Sequence, residues 1–190
     1  SAMLELFARS DGDGPPVTLV HGFTTHGGAW DKIRAALQRR FRVLTVDLPG
    51  HGRSPLPPPD YDLPTCAADL VAAMARHGHT PGALIGYSMG GRVALAAALL
   101  APRAVTKLIL ESAAPGLDGG RARTARRAAD AALADHIEAS DLADFIDRWQ
   151  SQPLFHTQRR LGTAVRAAAR SLRLDNDRRG LAAALRTLGT

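Results

Sequence analysis

Gly86-Tyr87-Ser88-Met89-Gly90-Gly91 is where this chain could do chemistry. The spacing G-x-S-x-G is that of a nucleophile elbow, a serine set on a sharp turn between a strand and a helix. Ala83-Leu84-Ile85 enters as a buried strand, and Arg92 to Ala101 leaves as an Ala/Leu-rich helix. A serine so held presents its hydroxyl to a cleft, next to backbone N–H groups at a helix N-terminus. The small residues are required because strand and helix approach too closely there for a Cβ. A Gly-rich turn with a chance serine is the bland alternative, and the strand–turn–helix context weighs against it.

His21-Gly22-Phe23 follows a second apolar run, Val17–Val20. From that position the Phe23 N–H can face the serine, and the Met89 N–H supplies a second donor. Two such donors make an oxyanion hole. His21 precedes the serine and is read as a loop-packing residue, not as the base. Asp47, at the head of Asp47-Leu48-Pro49-Gly50-His51-Gly52-Arg53-Ser54, is read as a hydrogen-bond acceptor that organises the loop. A serine hydroxyl needs an imidazole to take its proton and a carboxylate to orient that imidazole. On this arrangement both follow the serine. Only His136 and His156 do so, both in helical stretches, and Glu111 is the one acid at a strand end. The triad histidine, and with it the acid, is therefore expected outside these residues.

The elements that must position this machinery alternate between strand and helix, the βαβ pattern of a parallel sheet. Strands are expected at Leu4–Ala8, Val17–Val20, Val43–Val46, Ala83–Ile85 and Val105–Leu110, and helices at Ala29–Gln38 and Thr65–Arg76. A turn falls at 11–16 and a Pro/Gly loop at 49–59. After Gly116 the strand signal stops. Helical runs near 121–135, 140–150, 157–172 and 179–188 follow, broken at Pro153 and Asp175-Asn176-Asp177. The division is thus a core at 1–115 and a helical cap or lid at 116–190. The run 105–110 would be an apolar sheet edge open to pairing. The natural protein is expected to continue for roughly another 60–80 residues of βα units, or a neighbouring chain to cover that edge.

The 190 residues, 45% apolar and 22% charged, suit one globular domain, and no apolar run is long enough for a membrane span. Ser1-Ala2 ahead of Met3 reads as a cloning scar. The single cysteine, Cys66, excludes an internal disulfide and fits a reducing cytoplasm. A net charge of +6 raises nucleic-acid binding. However, the arginines are interleaved with Ala, Asp and Leu between Arg121 and Arg186, without aromatics to stack bases, so no nucleic-acid partner is expected. Most are a solvated helical face, and a few suit an anionic substrate. No Cys/His spacing calls for a metal.

Taken together, the 21–23, 47–54 and 86–92 motifs resemble the α/β-hydrolase superfamily. Tyr87, Arg92, Pro115-Gly116-Leu117, Phe145, Trp149, Pro153-Leu154-Phe155, Gly180-Leu181-Ala182, Leu185 and Gly189-Thr190 are similar to one branch of it, the 2-succinyl-6-hydroxy-2,4-cyclohexadiene-1-carboxylate synthases of menaquinone biosynthesis. The resemblance implies an α/β fold with a mostly parallel sheet and a helical cap, stopping short of that family's last strands. It implies a lyase that expels pyruvate from a carboxylate-rich cyclohexene precursor without metal or organic cofactor. Ser88 would then be a triad-activated base, Phe23 and Met89 backbone donors, and Arg92, Arg126 and Arg173 carboxylate clamps. Tyr87 and Trp149 would line the pocket, and Arg123, Arg127 and Arg170 are the basic positions within a register slip. Two other readings stay open: a carboxylic-ester hydrolase working through an acyl-enzyme, and a catalytically incomplete fragment or binding scaffold.

Overall fold

A computed structural model describes residues 3–189 of the chain. Ser1-Ala2 and Thr190, named above, lie outside the described residues. Among the described residues five strands form one sheet: β1 (Ala8–Asp11), β2 (Pro16–Val20), β3 (Arg42–Val46), β4 (Gly82–Tyr87) and β5 (Val105–Glu111), in the order β1-β3-β2-β4-β5. Only β1 runs antiparallel, against β3, and the other pairings are parallel. Leu19, Val20, Val43, Leu44 and Val46 are fully buried, which is why the central strands read as unbroken apolar runs.

Helices α1 (Asp31–Leu37), α2 (Leu63–Arg76) and α3 (Met89–Leu100) make the crossovers. Asp62 caps α2 by accepting from Thr65 N at 2.9 Å. The helix then buries Cys66, Ala67, Leu70, Ala73 and Met74, one stripe at 3.6-residue spacing. α1 is preceded by a tight helical turn at Gly27–Trp30, where His26 Nδ1 accepts from Gly28 N at 3.1 Å, so the helix expected from Ala29 starts at Asp31.

The first strand also differs from expectation. Leu4 to Phe7 lies outside the ladder because its backbone groups are satisfied elsewhere. Leu4 N donates to Asp69 Oδ2 and Phe7 N to Ser54 Oγ, while the Phe7 carbonyl, accepting from Asp47 N, makes the last bond toward the β3 side. Pairing begins at Ala8.

Beyond β5 the chain is helical: α4 (Gly120–Ala139), α5 (Leu142–Gln150), α6 (Thr163–Leu174) and α7 (Arg178–Leu188), with a tight helical run at Pro153–Arg160. Asp141 and Asp177 cap α5 and α7 from their side chains. The expected helix 157–172 is split at 161–162, where the backbone extends at Gly162. Ala134, Ile137, Phe145, Ile146, Leu181, Ala182 and Leu185 form a second apolar cluster, apart from the one between the sheet and α2/α3. Phe23 borders both clusters, so the loop after β2 is the joint between them. Among the described residues no helix is long and apolar enough to cross a membrane.

Candidate active site

Ser88 sits between β4 and α3 with φ 51° and ψ −117°, a conformation that typically costs about 1–3 kcal/mol. Its N–H donates to the Glu111 carbonyl on β5 at 2.9 Å, which pins the turn to the neighbouring strand. The flanking glycines are forced by contact. A Cβ on Gly86 would stand 2.6 Å from Gly91 Cα, and one on Gly22 2.9 Å from the Tyr87 ring and 3.4 Å from Ser88 Cβ. The loop after β2 therefore lies directly against the serine. Met89 opens α3, so its N–H has no partner within the helix.

Two buried histidines hold that loop. His21 Nε2 accepts from Leu48 N at 2.8 Å, so its proton is on Nδ1, 2.8 Å from the Gly22 carbonyl. His51 Nε2 faces Thr24 N at 3.4 Å while its Nδ1 donates to the Pro49 carbonyl at 3.0 Å. Burial is the main cause that pulls their pKa values down, to about 4 for His21 and about 3 for His51. Both are neutral spacers, which is the role read for His21. The Gly22 carbonyl also accepts from Thr25 N and Thr25 Oγ1. In a trans peptide the N–H points opposite its carbonyl, so Phe23 N–H faces away from His21 and Thr25. Asp47 takes Gly27 N and Arg53 N at 2.6 and 2.9 Å, and its carbonyl takes Ser54 Oγ, so it organises the loop as read.

Of the sequence-predicted binding residues, Tyr87, Trp149 and Arg173 meet the loop after β2, Tyr87 at Gly22, Trp149 at Phe23 and Arg173 at Thr24. The Trp149 ring meets Phe23 edge-on at 5.2 Å between centroids. Arg173 is 7% exposed, lies 5.6 Å over the Phe155 ring and donates from Nη1 to Thr24 Oγ1 at 2.7 Å. Burial lowers its pKa, and the nearby Tyr87 opposes that. Arg173 Nε and Trp149 Nε1 are both buried without a hydrogen-bond partner. Arg170, one turn earlier, instead forks onto Asp147 at the surface at 2.7 and 3.0 Å.

Arg92 and Arg126 form a second group. Arg92 Nη2 donates to the Leu188 carbonyl at 2.5 Å, and burial, then Arg126, lowers its pKa. Arg126 is exposed and paired with the buried Asp130 at 2.8 Å. Arg92 lines a cleft of about 420 Å³ with Leu63, Leu117, Asp118, Arg123 and Gly189. His136 and His156 lie exposed on the C-terminal helical stretch, His136 beside Ser140. Among the described residues no group of three or more His, Cys, Asp or Glu could hold a metal ion.

Sequence reasoning missed Thr24 and Asn176. Thr24 has φ 71°, a genuine outlier for a β-branched residue, and nothing in the sequence marks it. Asn176 read only as a helix break, yet it is buried and bonded to both loops.

A family model for the alpha/beta hydrolase fold matches residues 15–185. The chain is 42% identical over 140 residues to a pimeloyl-[acyl-carrier protein] methyl ester esterase of Methylococcus capsulatus, covering 70% of this chain and 53% of that one. It is 37% identical over 176 residues to a Bacillus subtilis protein named, provisionally, as a 2-succinyl-6-hydroxy-2,4-cyclohexadiene-1-carboxylate synthase, covering 92% and 64%. Among solved structures, MenH from S. aureus superposes with a TM-score of 0.87 at 28% identity, covering 94% of this chain and 69% of that one. The chain thus spans 53% and 64% of the length of these two curated relatives.

Proposed function

Since the chain belongs to the α/β-hydrolase superfamily, we propose that in the full-length protein Ser88 is the base of a lyase that expels pyruvate from a carboxylate-rich cyclohexene precursor of menaquinone. The observation that carries this reading is Arg173. It is a buried guanidinium that no carboxylate among the described residues neutralises, with Nε unpaired and Trp149 Nε1 unpaired as well. A buried cation and an orphaned donor are costly unless something anionic meets them. A substrate carboxylate does so, and an apolar ester does not. The likeness to the Bacillus synthase and to MenH supports the same choice.

In this mechanism Ser88, activated by a histidine and an acid elsewhere in the full-length protein, takes a proton from the ring. Negative charge builds on an oxygen facing the Phe23 and Met89 N–H groups, the ring carbon–oxygen bond breaks as a ring double bond forms, and the group departs as the enolate of pyruvate, which takes up a proton. Arg173 holds a carboxylate, Tyr87 and Trp149 shape the pocket, and Arg92 and Arg126 attract a second anionic group. Residues 116–190 act as the cap over the core 1–115. The reading makes the protein a cytoplasmic enzyme with a small anionic substrate. The paired arginines of the cap, Arg170 with Asp147 and Arg186 with Asp135 and Glu138, fit a solvated face and not a nucleic-acid surface.

The likeness to the methyl ester esterase favours a second reading, in which Ser88 forms an acyl-enzyme. Pyruvate release from the menaquinone precursor, set against p-nitrophenyl ester cleavage, separates them. The proposal expects pyruvate release that Ser88→Ala lowers by about 10⁴-fold or more with substrate binding retained. Fast ester cleavage without pyruvate would reverse the order.

A further inference from the structure

We infer that Asn176 is a positioning residue that sets the oxyanion donor of Phe23 from the cap. The inference rests on the reading of Phe23 N–H just given. Asn176 occupies the α6–α7 turn, buried, with both side-chain polar atoms engaged. Its Nδ2 donates to the carbonyls of Thr24 at 2.8 Å, Arg173 at 3.2 Å and Thr25 at 3.4 Å. Its Oδ1 accepts from Gly52 N at 2.8 Å. Three carbonyls on one side and an N–H on the other fix the amide's orientation. One side chain thus ties the cap helix to the loop after β2 and to the loop after β3.

The tie falls on the strained residue. Thr24, at φ 71°, is the immediate neighbour of Phe23. Its carbonyl is held by Asn176, its hydroxyl by Arg173, and its N–H faces His51. A threonine released from these contacts relaxes to negative φ, because its branched Cβ disfavours the left-handed region. That relaxation shifts Thr25, whose N and Oγ1 hold the Gly22 carbonyl, and so turns the Gly22–Phe23 peptide that carries the donor next to Ser88. The cap therefore contributes to the chemistry through backbone geometry, in addition to any substrate contact.

The test uses the full-length protein, with kcat and KM measured on the precursor, or on p-nitrophenyl acetate where that is the activity found. Asn176→Ala is expected to lower kcat about 10- to 100-fold, less than the ~10²–10³-fold of deleting an oxyanion donor, with KM within about threefold. Asn176→Asp keeps the acceptor for Gly52 but loses the donor to Thr24. It is expected to lose kcat alike, and is read in place of the alanine variant where that one does not fold. Adding Thr24→Gly to either variant removes the steric penalty at positive φ and should restore kcat in part. A purely structural asparagine predicts the reverse, a further loss. Wild-type kcat in both Asn176 variants, with Ser88→Ala inactive, overturns the inference and leaves the site reading intact. Turnover surviving Ser88→Ala overturns the site reading itself.

Discussion

Arg173 Nη1 donates to Thr24 Oγ1 at 2.7 Å, joining two residues that 149 positions of sequence separate. The contact places a buried cation against the loop that packs on Ser88. It uses one arm of the guanidinium and leaves Nε unpaired.

Arg173→Met is expected to separate stability from binding. Removing a buried, unneutralised charge while keeping the apolar stem on Phe155 offsets the lost bond to the buried Thr24 hydroxyl, so stability should change by no more than about 1 kcal/mol. KM for an anionic substrate should rise about 10- to 100-fold, since charged hydrogen bonds contribute about 1.5–3 kcal/mol. Neutral esters should keep their KM, with kcat reduced only as far as the lost Thr24 Oγ1 contact loosens the loop. Denaturant titration and steady-state kinetics on one preparation check both, and an unchanged KM would remove Arg173 from the binding set.

Arg92 should behave differently because it also closes a helix. Its Nη2 serves the Leu188 carbonyl in the last turn of α7. Arg92→Ala leaves that acceptor unsatisfied and is expected to cost about 1–3 kcal/mol, in addition to weakening anion binding. A melting temperature equal to wild type would show that the contact carries no stability.

His21 and His51 set the acid limit of the fold. Their folded values, about 4 and about 3, lie below the 6.5 of a free imidazole, so the unfolded chain binds protons first as pH falls. The contribution is complete above about pH 6.5 and is lost as pH falls from there toward 4 and 3. Each imidazole contributes a slope of up to about 1.4 kcal/mol per pH unit, so the pair costs up to about 4 kcal/mol between pH 6.5 and 5. Urea midpoints at pH 7.5 and 5 measure this. A flat profile would mean that the two rings are not the neutral spacers described.

β5 is a sheet edge with Ile109 53% and Leu110 39% exposed. The 190-residue chain by itself should self-associate through that edge, and Ile109→Lys should shift it toward monomer. Sedimentation velocity on the two proteins decides. A wild-type chain that stays monomeric at high concentration would show that the edge is already blunted.

The elbow, the alternation of strand and helix, and the helical stretch after Gly116 were legible in the sequence because each is local. A buried strand needs a run such as Val17–Val20. A sharp turn needs glycines where chains touch, and a helix end needs Asp62 or Asp177 as cap. The candidate pocket was legible only by resemblance, and in the fold its arginines divide. Arg173 turns inward against Thr24, Arg170 forks outward onto Asp147, and Arg92 with Arg126 stands near Leu188 and Asp130. Three residues of helix decide between burial and surface, and only the packing of α6 on the loop after β2 sets that phase. The strain at Thr24 and the tie from Asn176 depend on contacts across the whole chain, so no window of sequence could hold them.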